Sequence, residues 1–199
     1  MATELNWWRP PLHRVIGSSR ISREAKKSKR ARIALAIFAL GAALVGTAST
    51  FDLRLNWTES MPRGLYQRMD PAFERDAWVA ICLEGGAAEI ARKRGYVIDG
   101  SCASGLAPIF KHLVGVPGDR IDIAADGIAV NGALIPHSEV KEFDSLGRPL
   151  EHTPEGEMVL PEGRFFAMGM NPSRSWDSRY FGAILAHQIV ASARPLWTF

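Results

Sequence analysis

The stretch "IFKHLVGV", Ile109 to Val116, governs how the rest of this chain is read. Its alternation puts Ile109, Lys111 and Leu113 on one face and Phe110, His112 and Val114 on the other, the period of a β-strand. Pro117-Gly118 follows at once and predicts a type II turn. Working outward, "WVAIC" (78–82) is a short apolar strand. "RIDIAADGIAVNGALIP" (120–136) gives three short strands punctuated by Asp126-Gly127 and Asn131-Gly132, both hairpin signals. "RFFAMGM" (164–170) and "HQIVASARPLW" (187–197) read as closing strands. "AAEIARKRG" (87–95) predicts a short helix ending at Gly95, and the polar, Pro- and Gly-bearing run 137–157 a surface loop. The sum is a mainly β fold, a small antiparallel β domain.

Lys111 is the unusual member of its strand. A lysine between two large aliphatics loses hydration, which disfavours the ammonium and lowers the pKa. A neutral amine is what a general base requires. On spacing alone, the commoner outcome is a lysine that snorkels at a sheet rim. Lys93, inside Arg92-Lys93-Arg94, and Lys141, in the polar loop, read as solvated.

The charge is uneven along the chain. Residues 1–32 hold nine Lys or Arg against Glu4 and Glu24, about +7, which leaves about −4 for the rest of a chain of net charge +3. Next comes "IALAIFALGAALVGTAST", Ile33 to Thr50, with no charge and no proline. As a helix its roughly 18 residues would span about 27 Å, enough for a hydrocarbon core. The cluster Lys26, Lys27, Lys29, Arg30 and Arg32 abuts its N-terminal end, so the positive-inside rule predicts a cytoplasmic tail and an exported domain. The expected organisation is a basic tail at 1–32, a transmembrane anchor at 33–50 and an extracytoplasmic domain at 51–199. A cleaved signal peptide competes, but the n-region is too long for one. No aromatic-bearing motif accompanies the basic tail beyond Trp7 and Trp8, so no nucleic-acid partner is expected.

Two cysteines, Cys82 and Cys102, both fall on the exported side. In an oxidising compartment they suggest one disulfide, closing a loop of about 20 residues and stabilising the fold by about 3 kcal/mol. Neither stands in a CxxC or beside a histidine, so no metal is expected, and no cofactor motif is present. GxSxG, HExxH and P-loop patterns are absent too. His112, His137, His152 and His187 stand in no recognisable Ser-His setting, which leaves serine activated by lysine.

Three segments, "SMPRGLY" (60–66), "FKHLVGVPGDRI" (110–121) and "GMNPSRSWDSRYFG" (169–182), resemble, in order, the boxes of the signal peptidase I clan of Ser-Lys peptidases. The wording is most similar to the conjugative-transfer, TraF-type branch, whose members mature pilin subunits. The resemblance runs over residues 33–199. It implies a signal-peptidase-like antiparallel β domain behind one N-terminal transmembrane helix, with Ser60 the nucleophile and Lys111 the general base. Thr58 would share the oxyanion hole with the Ser60 N–H, and period two puts both side chains on one face. Ser175 would orient the lysine, while Asp177 and Arg179 would brace the site as an ion pair. Pro62 and Gly64 would shape the turn after the nucleophile. On their residues alone, Thr58 reads equally as a β-forming threonine and Ser175 as a surface hydroxyl.

Several positions depart from the general secretory branch. Pro62 follows Met61 directly, His112 stands where an arginine is usual, and "GMNPSRS" lacks an acidic residue of the usual wording. These favour the TraF-type branch. The expected partners are then a membrane-tethered precursor, the lipid bilayer and a conjugation or secretion machinery, at the bacterial inner membrane with the domain in the periplasm. A general leader peptidase would share this chemistry. A membrane-anchored β scaffold without catalysis is the alternative of another kind.

Overall fold

A computed structural model describes residues 32–42, 46, 52–57, 61–171 and 175–199. The chain divides into two units, 1–47 and 48–199. In the first, α1 occupies residues 32–42 with its side chains exposed. No helix among the described residues is long and apolar enough to cross a membrane. The anchor expected at 33–50 is described only over 33–42 and at 46, and most of the basic tail lies outside the described residues.

The second unit is mainly β. Its strands are β1 (Leu53–Asn56), β2 (Gly64–Met69), β3 (Trp78–Ile81), β4 (Ile109–Gly115), β5 (Arg120–Ala124), β6 (Gly127–Val130), β7 (Ala133–Leu134), β8 (Gly156–Val159), β9 (Arg164–Met168), β10 (Ile184–Leu185) and β11 (Ile189–Thr198). One sheet runs β1-β2-β11-β3-β4-β9-β10 and a second β7-β6-β5-β8, every pairing antiparallel. Two helices join them, α2 (Gly85–Arg94) and α3 (Ser178–Phe181).

Alternation decides which residues are buried. Val79, Ile81, Leu113, Phe165, Ala167, Ile184 and Ile189 form one core, and Ile121, Ile123, Ile128, Val130, Leu160, Phe166 and Met168 a second. β9 gives Phe165 and Ala167 to the first and Phe166 and Met168 to the second, which is why its sequence is apolar without a break. A third core, Leu83, Ala88, Ala91 and Leu106, lies beneath α2.

The turn chemistry is local. Gly118 has φ 87° and Asp119 N–H donates to Val116 O at 3.0 Å, as a type II turn requires. Asn131 and Gly132, at φ 52° and 83°, close the β6–β7 hairpin. The helix expected up to Gly95 ends there, with Gly95 left-handed at φ 68° and Tyr96 N–H bonded back to Ala91 O. The hairpin expected at Asp126-Gly127 sits one residue earlier. Ala124 pairs with Gly127, so Ala125 and Asp126 are the loop, and a Cβ on Gly127 would meet Ser138 Oγ at 2.7 Å. The loop expected at 137–157 gives way at its end to β8, which pairs with β5.

Candidate active site

Lys111 sits in the middle of β4, in register with Val79 of β3 and on the same face as Leu113. The sheet covers it: Lys111 is 5% exposed, where a snorkelling lysine would reach water. Its Nζ donates to Ser175 Oγ at 2.8 Å. Burial lowers its pKa, Asp177 opposes that shift, and Arg179 reinforces it.

The segment carrying Ser175 is tied down by Asp177 and Arg179. Arg179 donates from Nε to Asp177 Oδ1 at 2.8 Å and from Nη2 to Oδ2 at 2.9 Å, and neither side chain has any exposure. Arg179 Nη2 also reaches Ser175 O at 3.1 Å, and Nη1 donates to Glu139 O at 3.0 Å. Asp177 accepts from Gly169 N–H at 3.0 Å, and it caps α3 by accepting from Arg179 N–H. Burial works against the guanidinium's charge, but the Asp177 carboxylate outweighs it and the Arg179 pKa is raised. The ion pair therefore joins the end of β9 to the start of α3, and Ser175 lies between those two points. Lys111, Ser175, Asp177 and Arg179 are gathered in one place.

Thr58 and Ser60 lie outside the described residues. The chain on either side of them is fastened. Asn56 Nδ2 donates to Met61 O at 3.2 Å and Pro62 O at 3.0 Å, and Tyr66 Oη donates to Pro62 O at 2.7 Å. Met61 is buried, and Asn56 pairs with Gly64 across the β1–β2 hairpin. Gly64 is fixed by contact, because a Cβ there would lie 2.1 Å from Trp197 O of β11.

The face of β3 and β4 that alternates with Val79 and Lys111 borders a cleft of about 500 Å³, lined among others by Asn56, Tyr66, Ala80, Phe110, Ala191 and Ala193. The alanines leave its floor open, and Tyr66 and Phe110, 6.1 Å apart, form a wall. Alternation puts Phe110 opposite Lys111, but the walls of this cleft come from the pairing of β2 with β11, which no local pattern in the sequence encodes. Cys82 borders the cleft and is disulfide-bonded to Cys102, with Cα atoms 5.5 Å apart. His112 contacts Asp76 at 3.6 Å and His187 contacts Glu84 at 3.0 Å. Among the described residues no group of ligands could hold a metal ion.

The family described as signal peptidase, peptidase S26 matches residues 30–197. The chain is similar to the plasmid transfer protein TraF of Escherichia coli, 33% identical over 80% of this chain and 92% of that protein. It is 38% identical to the conjugal transfer protein TraF of Agrobacterium tumefaciens (strain 15955), over 79% of this chain and 89% of that one. Likeness to the signal peptidase I of Bacillus caldolyticus is 35% but covers 40% of this chain and 48% of that protein. A crystal structure of a signal peptidase I from Enterococcus faecalis V583 aligns with 60% of this chain and 95% of its own, at 19% identity and a TM-score of 0.35. With a family match over most of its length and TraF-named relatives spanning four-fifths of it, this chain belongs to the signal peptidase family, peptidase S26.

Proposed function

We propose that the chain is a membrane-anchored serine endopeptidase in which Ser60 is the nucleophile and Lys111 its general base, and that it matures a propilin for conjugative transfer. Membership of the S26 family and likeness to TraF proteins support a peptidase role in conjugative transfer. The observation that carries the dyad is Lys111 itself, buried and held 2.8 Å from Ser175. An amine whose burial disfavours the charged form, and which is fixed in place, suits the proton acceptor that a serine hydroxyl needs.

In the proposed reaction, neutral Lys111 takes the Ser60 proton as the oxygen attacks a peptide carbonyl. The Thr58 hydroxyl and the Ser60 N–H hold the oxyanion. The C–N bond breaks, Lys111 returns its proton to the leaving amine, and an acyl ester remains on Ser60. Water, deprotonated by Lys111, then releases the acid; alternatively an amine of the same chain attacks and cyclises the product. With the tail 1–32 cytoplasmic and 33–50 spanning the inner membrane, Ser60 stands about ten residues beyond the bilayer, an extended reach of at most about 35 Å. A membrane-tethered precursor is met at that height.

The test is co-expression with a propilin, read by intact mass, which separates a cut chain from a circular one by a single water. Parent protein is expected to process it, and Ser60→Ala and Lys111→Ala to lose processing; variants as active as the parent overturn the dyad. Activity is expected to rise with pH through an apparent pKa well below that of free lysine, as the neutral amine accumulates. The likeness to Bacillus signal peptidase I favours a second reading, a general leader peptidase, and cleavage of unrelated preproteins alongside propilin would select it.

A further inference from the structure

Ser175 is followed by a large ring. Trp176 is half-buried, with its indole 5.3 Å from the Tyr96 ring and edge-on to Phe181 at 5.0 Å. It packs on the third core, which belongs to the excursion between β3 and β4 that the Cys82–Cys102 disulfide closes. Tyr96 is itself held. Its hydroxyl donates to Asp144 Oδ2 at 2.6 Å and accepts from Arg94 Nη1 at 3.2 Å. Arg148 lies over the Tyr96 ring at 5.4 Å and donates Nε to the same carboxylate oxygen at 2.6 Å. Asp144 Oδ1 accepts the N–H groups of Leu146 and Arg148, both at 2.9 Å. The indole thus stands on a stack whose far end is a closed turn.

We propose that Trp176 is a positioning residue for the Lys111 base: its indole, held between Tyr96 and Phe181, fixes the backbone at 175–176 and with it the hydroxyl that Lys111 binds. This rests on Lys111 being the base. Arg179 grips Ser175 through its carbonyl, but Trp176 is the next link of the chain and sets where that residue points. Without the indole, Arg179 still holds the Ser175 carbonyl, but the hydroxyl can turn from Lys111, water reaches the amine, and the ammonium is favoured. The charges bearing on Lys111 are Asp177 and Arg179, from the segment just after Trp176. On the flanking strands Val79 is its partner and β9 ends in Ala167 and Met168, none of them charged.

The test titrates Lys111 directly, in the full chain in detergent, carrying Ser60→Ala and carbon-13-labelled lysine, with its resonance assigned by loss in Lys111→Arg. Trp176→Ala is expected to raise the Lys111 titration by about one unit, a tenfold loss of neutral amine at fixed pH below it. Trp176→Phe, which keeps a ring, leaves the titration close to the parent's. Tyr96→Phe, which cuts the bond to Asp144, moves it less than Trp176→Ala does, in the same direction. With Ser60 present, Trp176→Ala moves the acid limb of the pH–rate profile to higher pH and lowers kcat about tenfold with KM unchanged. A Lys111 titration unchanged in Trp176→Ala, or in Trp176→Leu should the alanine chain not fold, overturns the proposal. A parent chain that cleaves no precursor would instead defeat the peptidase reading, and the titration would still decide on Trp176.

Discussion

Two aspartate–arginine pairs in this molecule look alike on paper and behave differently. Asp177 and Arg179 stand two residues apart, Asp144 and Arg148 four apart, and each carboxylate also accepts backbone N–H groups. The first pair has no exposure on either side chain, whereas Arg148 is 36% exposed. Asp144 is itself only 6% exposed, but water reaches the Arg148 guanidinium and can replace it as a partner, so this pair serves to close a turn. In the interior nothing can replace it, and besides tying the end of β9 to α3 the pair bears on its neighbour Lys111. Asp177 pushes the Lys111 pKa up and Arg179 pushes it down, so their opposition leaves burial to set the direction. An unpaired aspartate at that spot would push the lysine towards its charged form.

Arg179→Ala breaks the contrast most severely. It leaves a buried carboxylate unpaired, and a loss of about 3–5 kcal/mol is expected in urea denaturation. A denaturation midpoint close to the parent's would show that the interior pair is no more exacting than the surface one. Lys111→Met should act with the opposite sign. Because burial lowers the folded-state pKa below the unfolded one, the lysine destabilises the fold at neutral pH. That penalty fades as pH rises towards the ordinary lysine range. The methionine variant should therefore gain Tm at neutral pH, about 2–4 °C for each kcal/mol recovered, and the gain should shrink in alkali. A lower Tm at neutral pH rejects the argument.

The smallest effect belongs to Asp144→Asn. Burial alone would raise that carboxyl's pKa, but hydrogen bonds from Tyr96 and Arg148 hold it well below the usual carboxylate range. Its stabilising contribution is present above the unfolded value and is lost as pH falls through the folded one. Melting curves against pH should show the parent above the variant near neutrality, the two converging only in strong acid. Parallel curves at every pH would show that the turn owes nothing to the charge.

What could be read from the chain beforehand followed the range of each interaction. β4 and the face that Lys111 shares with Ile109 and Leu113 are legible because alternation is a property of neighbouring residues, whereas its burial depends on the strands that cover it, and spacing alone favours a lysine that snorkels. Legible too are the end of α2 at Gly95 and the turns at Pro117-Gly118 and Asn131-Gly132, where one residue's φ decides. Ser175, Asp177 and Arg179 were reached through resemblance, since nothing within "SRSWDSR" says that its serine meets a lysine 64 positions earlier. The Asp144 turn was read as plain loop, because its partner Tyr96 is 48 residues away. β1, β2 and β10 are too short or too polar to carry a period by themselves. The Asp-Gly hairpin was misplaced by one residue because Gly127 answers to Ser138 rather than to the turn.

β9 has a consequence for how the molecule comes apart. Its four buried apolar side chains are divided between two cores, so it works as a party wall: neither room can be emptied while it stands. Amide exchange at Phe165 to Met168 should then run only through global unfolding. A slip of one residue would swap the tenants of both rooms at once, and Gly169, the very next residue, would drag its bond to Asp177 along with it.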